Sequence, residues 1–407
     1  MPTNHLQDNM RSILLFSLAF IFGITGCDLD RRITVNEVGA PVSLNSSLPR
    51  LYTDNTGTVF MSWVEEVDDM AYLKFSSFSG DTWSEPATVA SDSTWFVNWA
   101  DYPSVIARDK TPMAAHWLNK VEGGAYAYHI NMSVYDEGWS PAFTSHQDDT
   151  PTEHGFVSMA PASDSTYAAI WLDGRQTHDR EDDQYSDLNK AMTLRGAIIN
   201  TNAEIVEKFL IDDSVCDCCN TAITKTENGF LAAYRNRTRD EIRDIYVTSY
   251  VDGVWSEPKP VHADNWSIGA CPVNGPAVDA YGNTAAVAWF TGAEGTPHVQ
   301  FAISKDHGKT FEAPISLDND SPLGRVDLNM TENKIWVSWL SPAENGAELK
   351  IRSYTHDGEE IASTTVHDLS RSRSSGFPHI SELDSGLMIA YTDVTGEIPR
   401  VRTLILE

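Results

Sequence analysis

A strand pattern that recurs about every 50 residues constrains the fold of this chain more than any other feature of its sequence. Each copy alternates apolar and polar residues and has Trp or Tyr at or next to its end. A second strand follows each copy, and then a turn and a short closing strand, as with Trp-Ser-Glu-Pro at 83–86 and at 255–258. The copies lie at 59–64, 113–118, 167–172, 230–234, 284–290, 334–340 and 386–391. Four-stranded units of this kind cannot bury both faces alone and stack radially, so the sequence predicts an all-β, seven-bladed β-propeller.

The last unit, at 377–407, ends after three strands, so its blade lacks a fourth. The segment 34–44 has the composition of a strand and precedes the first complete unit. Pairing this N-terminal strand with the last blade would close the ring and leave no exposed sheet edge. We therefore expect residues 34–407 to form one closed domain. The alternative is a sandwich of two sheets, which would not explain the repeated Trp-Ser-x-Pro closure.

The N-terminal segment has a different character. An apolar run at 12–24 follows Arg11, is too short to span a membrane, and has the length of a signal-peptide core. It ends in Ile-Thr-Gly-Cys at 24–27, which resembles the lipobox of bacterial lipoproteins, where the cysteine receives the lipid. We expect 1–27 to be a signal peptide that ends at the lipidated Cys27, 28–33 to be a short tether, and the protein to be anchored in the bacterial cell envelope. A soluble secreted protein with an incidental cysteine is the alternative.

The charge of the chain narrows the choice of partners. The sequence has 58 acidic and 29 basic residues and a net charge of −29. Phosphates would be repelled by such a protein, which excludes nucleic acid. An anionic ligand would need a local cluster of arginines. We expect a monomer that contacts the membrane through its lipid anchor alone.

The geometry of a propeller assigns its loops to two faces. When the strands of a blade run outward from the axis as A, B, C and D, the B–C loops and the connections from D to the next A share one face. We call this the top face. Long loops on one side of a rigid scaffold are common sites of function. Three carboxylates on the predicted top-face segments, Asp101, Asp240 and Asp327, are our candidates for catalytic groups.

One turn on the opposite face carries a family motif. The segment 304–311 matches S-x-D-x-G-x-T-W/F, the Asp-box of sialidases and related propellers, and degenerate copies occur at the same position in three other repeats. The whole mature chain thus resembles the sialidase superfamily. That resemblance implies three arginines that hold a substrate carboxylate, a Tyr–Glu nucleophile pair and an aspartate acid/base. The family enzymes have six blades, which makes a six-bladed ring the alternative to seven. No motif in this sequence identifies a Tyr–Glu pair.

The arginines predict one possible ligand. Guanidinium groups bind carboxylates in a bidentate manner, so arginines on the top face favour an anionic carbohydrate, which the protein would bind or hydrolyse. The alternative is that nearby carboxylates neutralise each of them. The candidate substrate-binding residues are Arg50, Arg175, Arg235, Arg325, Arg373 and His154.

Four further cysteines suggest a second kind of site. Cys216, Cys218 and Cys219 lie in one predicted top-face connection, and Cys271 lies in the next. In an oxidising compartment two disulfides are expected. Thiolates also select Cu(I) or Zn(II), with His154 or His379 as possible additional ligands. The alternative function is therefore a non-hydrolytic envelope protein with a metal or redox site, and an interaction scaffold is the third possibility.

Overall fold

The computed structural model describes residues 33–181, 187–384 and 386–407. Residues 33–407 form one compact unit. The predicted signal peptide, the tether up to residue 32 and the lipidation site Cys27 lie outside the described residues. Within the described ranges, no helix has the length and apolar character needed to cross a membrane.

The described chain is built almost entirely of antiparallel strands. Four single-turn 3₁₀ helices occur in the described ranges, at Arg175–Thr177, Leu188–Lys190, Ala293–Gly295 and Arg373–Ser375. The strands are β1 (Val35–Val38), β2 (Ser46–Thr53), β3 (Val59–Val67), β4 (Met70–Ser79), β5 (Thr82–Trp83), β6 (Ala87–Asp92), β7 (Ser104–Arg108), β8 (Thr111–Lys120), β9 (Tyr128–Val134), β10 (His154–Pro161), β11 (Thr166–Asp173), β12 (Met192–Asn200), β13 (Ile205–Val215), β14 (Ala222–Thr226), β15 (Gly229–Arg235), β16 (Ile245–Val251), β17 (Val254–Trp255), β18 (Lys259–Pro260), β19 (Ala277–Tyr281), β20 (Thr284–Thr291), β21 (His298–Ser304), β22 (Ile315–Asp318), β23 (Gly324–Met330), β24 (Ile335–Ala343), β25 (Gly346–Tyr354), β26 (Glu360–Leu369), β27 (His379–Leu383), β28 (Gly386–Asp393) and β29 (Arg400–Leu406).

These strands form seven sheets, one for each blade. The blades consist of β2–β6, β7–β9, β10–β13, β14–β18, β19–β22, β23–β26, and β27–β29 together with β1. The first strands of successive blades contact one another in order, and β27 contacts β2, so that they surround an axial channel. The repeated segment of the sequence forms the second strand of each blade. The prediction of a seven-bladed propeller is confirmed, and the six-bladed alternative is wrong.

The N-terminal strand closes the ring. Strand β1 runs antiparallel to β29, with Val35 opposite Leu406 and Val38 opposite Thr403. Thr34 and Glu407 exchange two backbone hydrogen bonds, of 2.9 and 3.1 Å. The paired strand is shorter than the predicted segment 34–44, because residues after Val38 leave the sheet edge and lead to β2.

Large aromatic residues on the second strands explain the repeat. Trp63, Trp289 and Trp339 are fully buried. Each indole N–H donates to a carboxylate: Trp63 to Glu65 at 2.9 Å, Trp289 to Asp264 at 2.7 Å and Trp339 to Asp318 at 2.8 Å. A buried Trp usually has a partner for its N–H. The repeated Trp therefore combines a large apolar surface with a satisfied polar group in these three blades, and Trp171 does the same in a fourth, where its N–H donates to Asp173 at 3.0 Å.

The Asp-box segment forms a tight turn after β21. Asp306 accepts hydrogen bonds from the amide and the hydroxyl of Thr310, at 2.7 and 2.6 Å. Although partial burial acts the other way, these bonds hold the pKa of Asp306 at about 2. The carboxylate therefore stabilises the turn between β21 and β22.

Candidate functional site

The structure brings the four predicted cysteines together. The sulfur atoms of Cys216, Cys218 and Cys219 lie within 4.8 Å of one another, and those of Cys216 and Cys219 are 3.6 Å apart. Cys271 lies near enough to Cys218 for this neighbour to lower the pKa of its thiol, although its sulfur is not one of the three that lie within 4.8 Å of one another. All four are free thiols, so no disulfide joins the cysteines within the described ranges. The first three lie between β13 and β14, and Cys271 lies between β18 and β19.

Backbone contacts fix the position of this cysteine loop. The amide of Cys216 donates to the carbonyl of Arg235 at 2.9 Å, and the side-chain amide of Asn220 donates to the carbonyl of Ala100 at 2.6 Å. A Cβ atom at Gly275 would lie 2.1 Å from the carbonyl oxygen of Asn220, so the chain can approach the loop this closely only at a glycine. The sulfur atoms are therefore held by elements of three blades.

Arginines surround the sulfur cluster. Arg243 Nη1 lies 3.3 Å from the sulfur of Cys216. Arg243 and Arg237 both bind Glu241, at 2.7 and 2.6 Å, and Arg180 binds Asp217 at 2.8 Å. These three arginines and two acids leave a positive local balance, which favours thiolate over thiol.

The thiols differ in acidity. Hydrogen bonds donated by Cys218 and Cys219, together with the charge of Arg243, hold the pKa of Cys216 well below its ordinary value. Burial and the bond to Cys216 raise the pKa of Cys219 to about 12. Cys216 is therefore the most acidic thiol of the cluster, and its neighbours would lose their protons on binding a metal ion.

The distance between the sulfurs of Cys216 and Cys219 fits a single tetrahedral metal ion. A tetrahedral ion with metal–sulfur bonds of about 2.3 Å holds its ligands about 3.8 Å apart. The 3.6 Å between Cys216 and Cys219 is close to that value. Neither predicted histidine belongs to the sulfur group among the described residues, because His379 lies on the axial strand β27 and His154 faces Asp148.

A second candidate region is the axial channel. Arg50, Tyr102, Asp327 and His379 line a cavity of about 90 Å³ near the axis. Arg50 Nη1 lies 2.7 Å from His379 Nδ1, and that nitrogen is 3.2 Å from Asp327. Burial and the charge of Arg50 lower the pKa of His379 to about 4, so His379 is neutral at neutral pH. A wider cavity of about 490 Å³, also lined by Arg50 and Asp327, adjoins it along the axis.

The structure does not bring the other predicted arginines to this cavity. Arg235 is buried and donates to the backbone carbonyls of Asn274, Arg243 and Phe290. Arg325 is also buried and donates to the carbonyls of Ser372 and Gly376. Both guanidinium groups therefore donate their hydrogen bonds to backbone carbonyls and not to a ligand in the cavity.

Arg175 and Arg373 lie elsewhere as well. Arg175 binds Asp173 and Asp148 through its Nε, at 2.7 and 2.9 Å. Arg373 is exposed, with its guanidinium 5.9 Å from the ring centre of Trp99. Of the five predicted arginines, Arg50 is the one that lines the axial cavity.

The three candidate carboxylates are also separated. Asp101 and Asp327 line the axial cavity, whereas Asp240 is exposed on the B–C loop of the fourth blade. The hydroxyl of Tyr128 lies 2.9 Å from Asp101 and 2.7 Å from Glu153. Burial raises the pKa of Asp101 to about 7 and that of Glu153 to about 8. This Tyr–Glu pair lies behind the cavity wall, because Tyr128 is buried on the third strand of its blade.

Sequence comparison gives no relative, since neither a family model nor a curated protein matches the chain. Among solved structures it is similar to the Hadza microbial sialidase Hz136, with 16% identity, a TM-score of 0.41, and coverage of 73% of this chain and 63% of the sialidase. It is also similar to polysaccharide lyase Uly1, with 12% identity, a TM-score of 0.49 and 90% coverage of both chains. A PL25 ulvan lyase bound to a GlcA–Rha3S saccharide gives 12% identity, a TM-score of 0.49, and coverage of 90% of this chain and 93% of the lyase. These TM-scores are below 0.5, so the blade count is established from strand pairing and not from these likenesses.

Proposed function

We propose that the protein is a metal-binding propeller that holds one soft ion, Cu(I) or Zn(II), through Cys216, Cys218, Cys219 and Cys271. The observation that carries this proposal is the convergence of three sulfurs, those of Cys216, Cys218 and Cys219, within 4.8 Å of one another. Cys271 is close enough to Cys218 to lower the pKa of its own thiol, which makes it the candidate for the fourth ligand. Thiolates are the ligands that select these ions among the metals of the cell.

The surroundings of the sulfurs support the same function. A Zn(II) ion with four thiolates carries a net charge of −2, which a buried position would disfavour unless positive groups lie near. Arg243 contacts Cys216 directly, and Arg237 lies beside it on Glu241. Cys271 is exposed, whereas Cys216 and Cys219 are buried, so an ion can enter from the side of Cys271.

We expect the Cys218→Ser variant to lose at least tenfold in metal affinity, because Cys218 supplies one of the three sulfurs that lie within 4.8 Å of one another. Metal content of protein purified under reducing conditions, together with competition against a chelator, measures this loss. The control is Cys27→Ser, which changes the proposed lipidation site instead of a cluster cysteine and should leave the metal content of the propeller unchanged. A mass deficit equal to two disulfides, with no bound metal, would contradict the proposal and support a structural role for the sulfurs.

Binding of an anionic carbohydrate is the second candidate function. One observation favours it: Arg50 reaches the axial channel, where its neighbours are His379 and the aromatic ring of Tyr102. A guanidinium beside an aromatic ring suits the carboxylate and the apolar face of an acidic sugar. Calorimetric titration with a glucuronate-terminated oligosaccharide tests this candidate, and an absence of binding at millimolar concentration would refute it.

We also propose that Cys27 carries lipid and anchors the propeller in the cell envelope. The argument rests on the apolar run at 12–24 and the lipobox-like Ile-Thr-Gly-Cys that ends it. The Cys27→Ser variant should move from the membrane fraction to the soluble fraction. Membrane fractionation followed by immunodetection measures this shift, and an unchanged distribution would mean that Cys27 is not the anchor.

A further inference from the structure

We propose a second, separate metal site, in which the imidazoles of His129, His146 and His154 bind a divalent ion of the Zn(II) type. One ring nitrogen from each histidine lies within 4.8 Å of the others. His129 is on strand β9, His154 begins strand β10, and His146 lies in the segment between them. The site therefore belongs to the junction of the second and third blades.

His146 is the residue that most needs an explanation. It is 3% exposed, and neither ring nitrogen has a hydrogen-bond partner among the residues that the structure describes. Its ring stacks on that of His154, with centres 4.2 Å apart and an angle of 21° between the planes. The edge of His129 lies against it, with ring centres 4.7 Å apart. A buried imidazole without a partner is unfavourable, and a metal ion at its lone pair removes that penalty.

The two flanking histidines are already oriented as metal ligands. His129 Nε2 lies 3.0 Å from the carbonyl of Thr150, and His154 Nδ1 lies 3.2 Å from the carbonyl of Thr152. A carbonyl only accepts hydrogen bonds, so each of these nitrogens carries the proton. The lone pairs are then on Nδ1 of His129 and Nε2 of His154. Ligating histidines in proteins typically have such a carbonyl or carboxylate on the other nitrogen.

Carboxylates complete the surroundings. His154 Nε2 lies 3.3 Å from Asp148 and 3.7 Å from Asp173. A lone pair that faces carboxylate oxygens is repelled, and a cation between them reverses the sign of this interaction. Arg175 Nε contacts both carboxylates, at 2.7 Å from Asp173 and 2.9 Å from Asp148, and the indole of Trp171 also donates to Asp173, at 3.0 Å. Asp148 is the candidate for a fourth ligand because it lies nearer to His154 and has no indole donor, and Asp173 is a positioning residue.

The donor set selects the ion. Three neutral imidazoles suit Zn(II) and related first-row ions, which bind histidine nitrogen at about 2.0–2.1 Å. His129 is half-buried and offers access from solvent. The sulfur cluster would bind its ion through different residues, so a substitution can abolish metal binding at one site and leave it intact at the other.

The test uses the detergent-solubilised full chain, stripped of metal, reduced, and titrated with ZnCl₂. We expect two ions per chain, and X-ray absorption at the zinc edge should show sulfur neighbours at about 2.3 Å and nitrogen neighbours at about 2.0 Å. His146→Leu should abolish binding of one ion and the nitrogen-rich signal while it keeps the sulfur signal. Cys218→Ser, the reciprocal control, should lose the sulfur signal and keep the nitrogen-rich one.

Stability measurements separate a ligand from a core residue. His146→Leu replaces an unpartnered polar ring with an apolar side chain, so the metal-free variant should be at least as stable as the metal-free parent. The rise in melting temperature that Zn(II) produces at this site should be absent. The proposal is overturned if His146→Leu binds as many ions as the parent, or if the parent shows only sulfur neighbours around zinc. The latter result leaves the sulfur site intact.

Discussion

A chain that begins at Gly39 should melt well below a chain that begins at Ile33, because it lacks the strand that completes the seventh blade. The four residues of β1 pair with β29, and Thr34 adds two backbone hydrogen bonds to Glu407. Hydrogen-bonded pairs alternate along an antiparallel ladder, so 34/407, 36/405 and 38/403 exchange two bonds each. At roughly 1 kcal/mol for each bond, the loss is about 6 kcal/mol of folding free energy. Differential scanning calorimetry measures the change.

The same truncation should change the behaviour of the protein in solution. Without β1, strand β29 becomes an open edge with unpaired backbone groups, and such edges pair with other chains. We expect the chain from Gly39 to aggregate on warming, as detected by light scattering, while the chain from Ile33 remains monomeric. The two proteins differ by six residues outside the candidate sites. Equal melting temperatures would mean that the ring does not depend on its closing strand.

The sequence predicts this closure because its cause is visible there: the last unit has three strands, and a strand-like segment precedes the first complete unit.

The outer part of the second blade is predicted less accurately from the sequence. The repeat suggests a closing strand near Trp139, but that blade has three named strands, and its outer segment keeps isolated bridges, between Tyr135 and Trp139 and between Met132 and Phe143.

The two proposed metal sites differ in how readily the sequence predicts them. The sequence predicts that the cysteines meet, because both segments are connections to the inner strands of consecutive blades. It does not predict the histidine site, although His154 is a candidate residue, because the ligands come from a third strand, an outer segment and an inner strand. The one feature of the sequence that indicates this site is that His129 and His146 precede His154 by 25 and 8 residues. Their meeting depends on the irregular outer segment of the second blade, which the repeat does not describe.

The arginines show a different limit of sequence reasoning. The sequence suggests carboxylates as their partners, and Arg175 and Arg237 do bind acids. Arg235 and Arg325 bind backbone carbonyls instead. A carbonyl is present at every residue, so sequence alone cannot show which ones remain unpaired in a folded connection. These two side chains satisfy such carbonyls where one blade passes to the next.

We therefore expect Arg235→Met to destabilise the protein by roughly 3–5 kcal/mol, because it leaves buried carbonyls of Asn274, Arg243 and Phe290 without a donor. The guanidinium also packs over the ring of Trp266, at 4.9 Å. Arg235→Lys should not restore stability, since a single ammonium group cannot reach three carbonyls in different directions. The midpoint of urea denaturation measures the loss.

The matched control is Arg50→Met, on the inner strand of the first blade, where the guanidinium is half-buried and its hydrogen-bond partner is the side chain of His379. We expect a change within about 1 kcal/mol for this variant. Arg235 also supports the sulfur cluster, because its carbonyl accepts from the amide of Cys216 and its guanidinium holds the carbonyl of Arg243. Arg235→Met should therefore weaken metal binding as well, and Arg50→Met should not. If both variants keep the stability of the parent, Arg235 does not hold the fourth and fifth blades together.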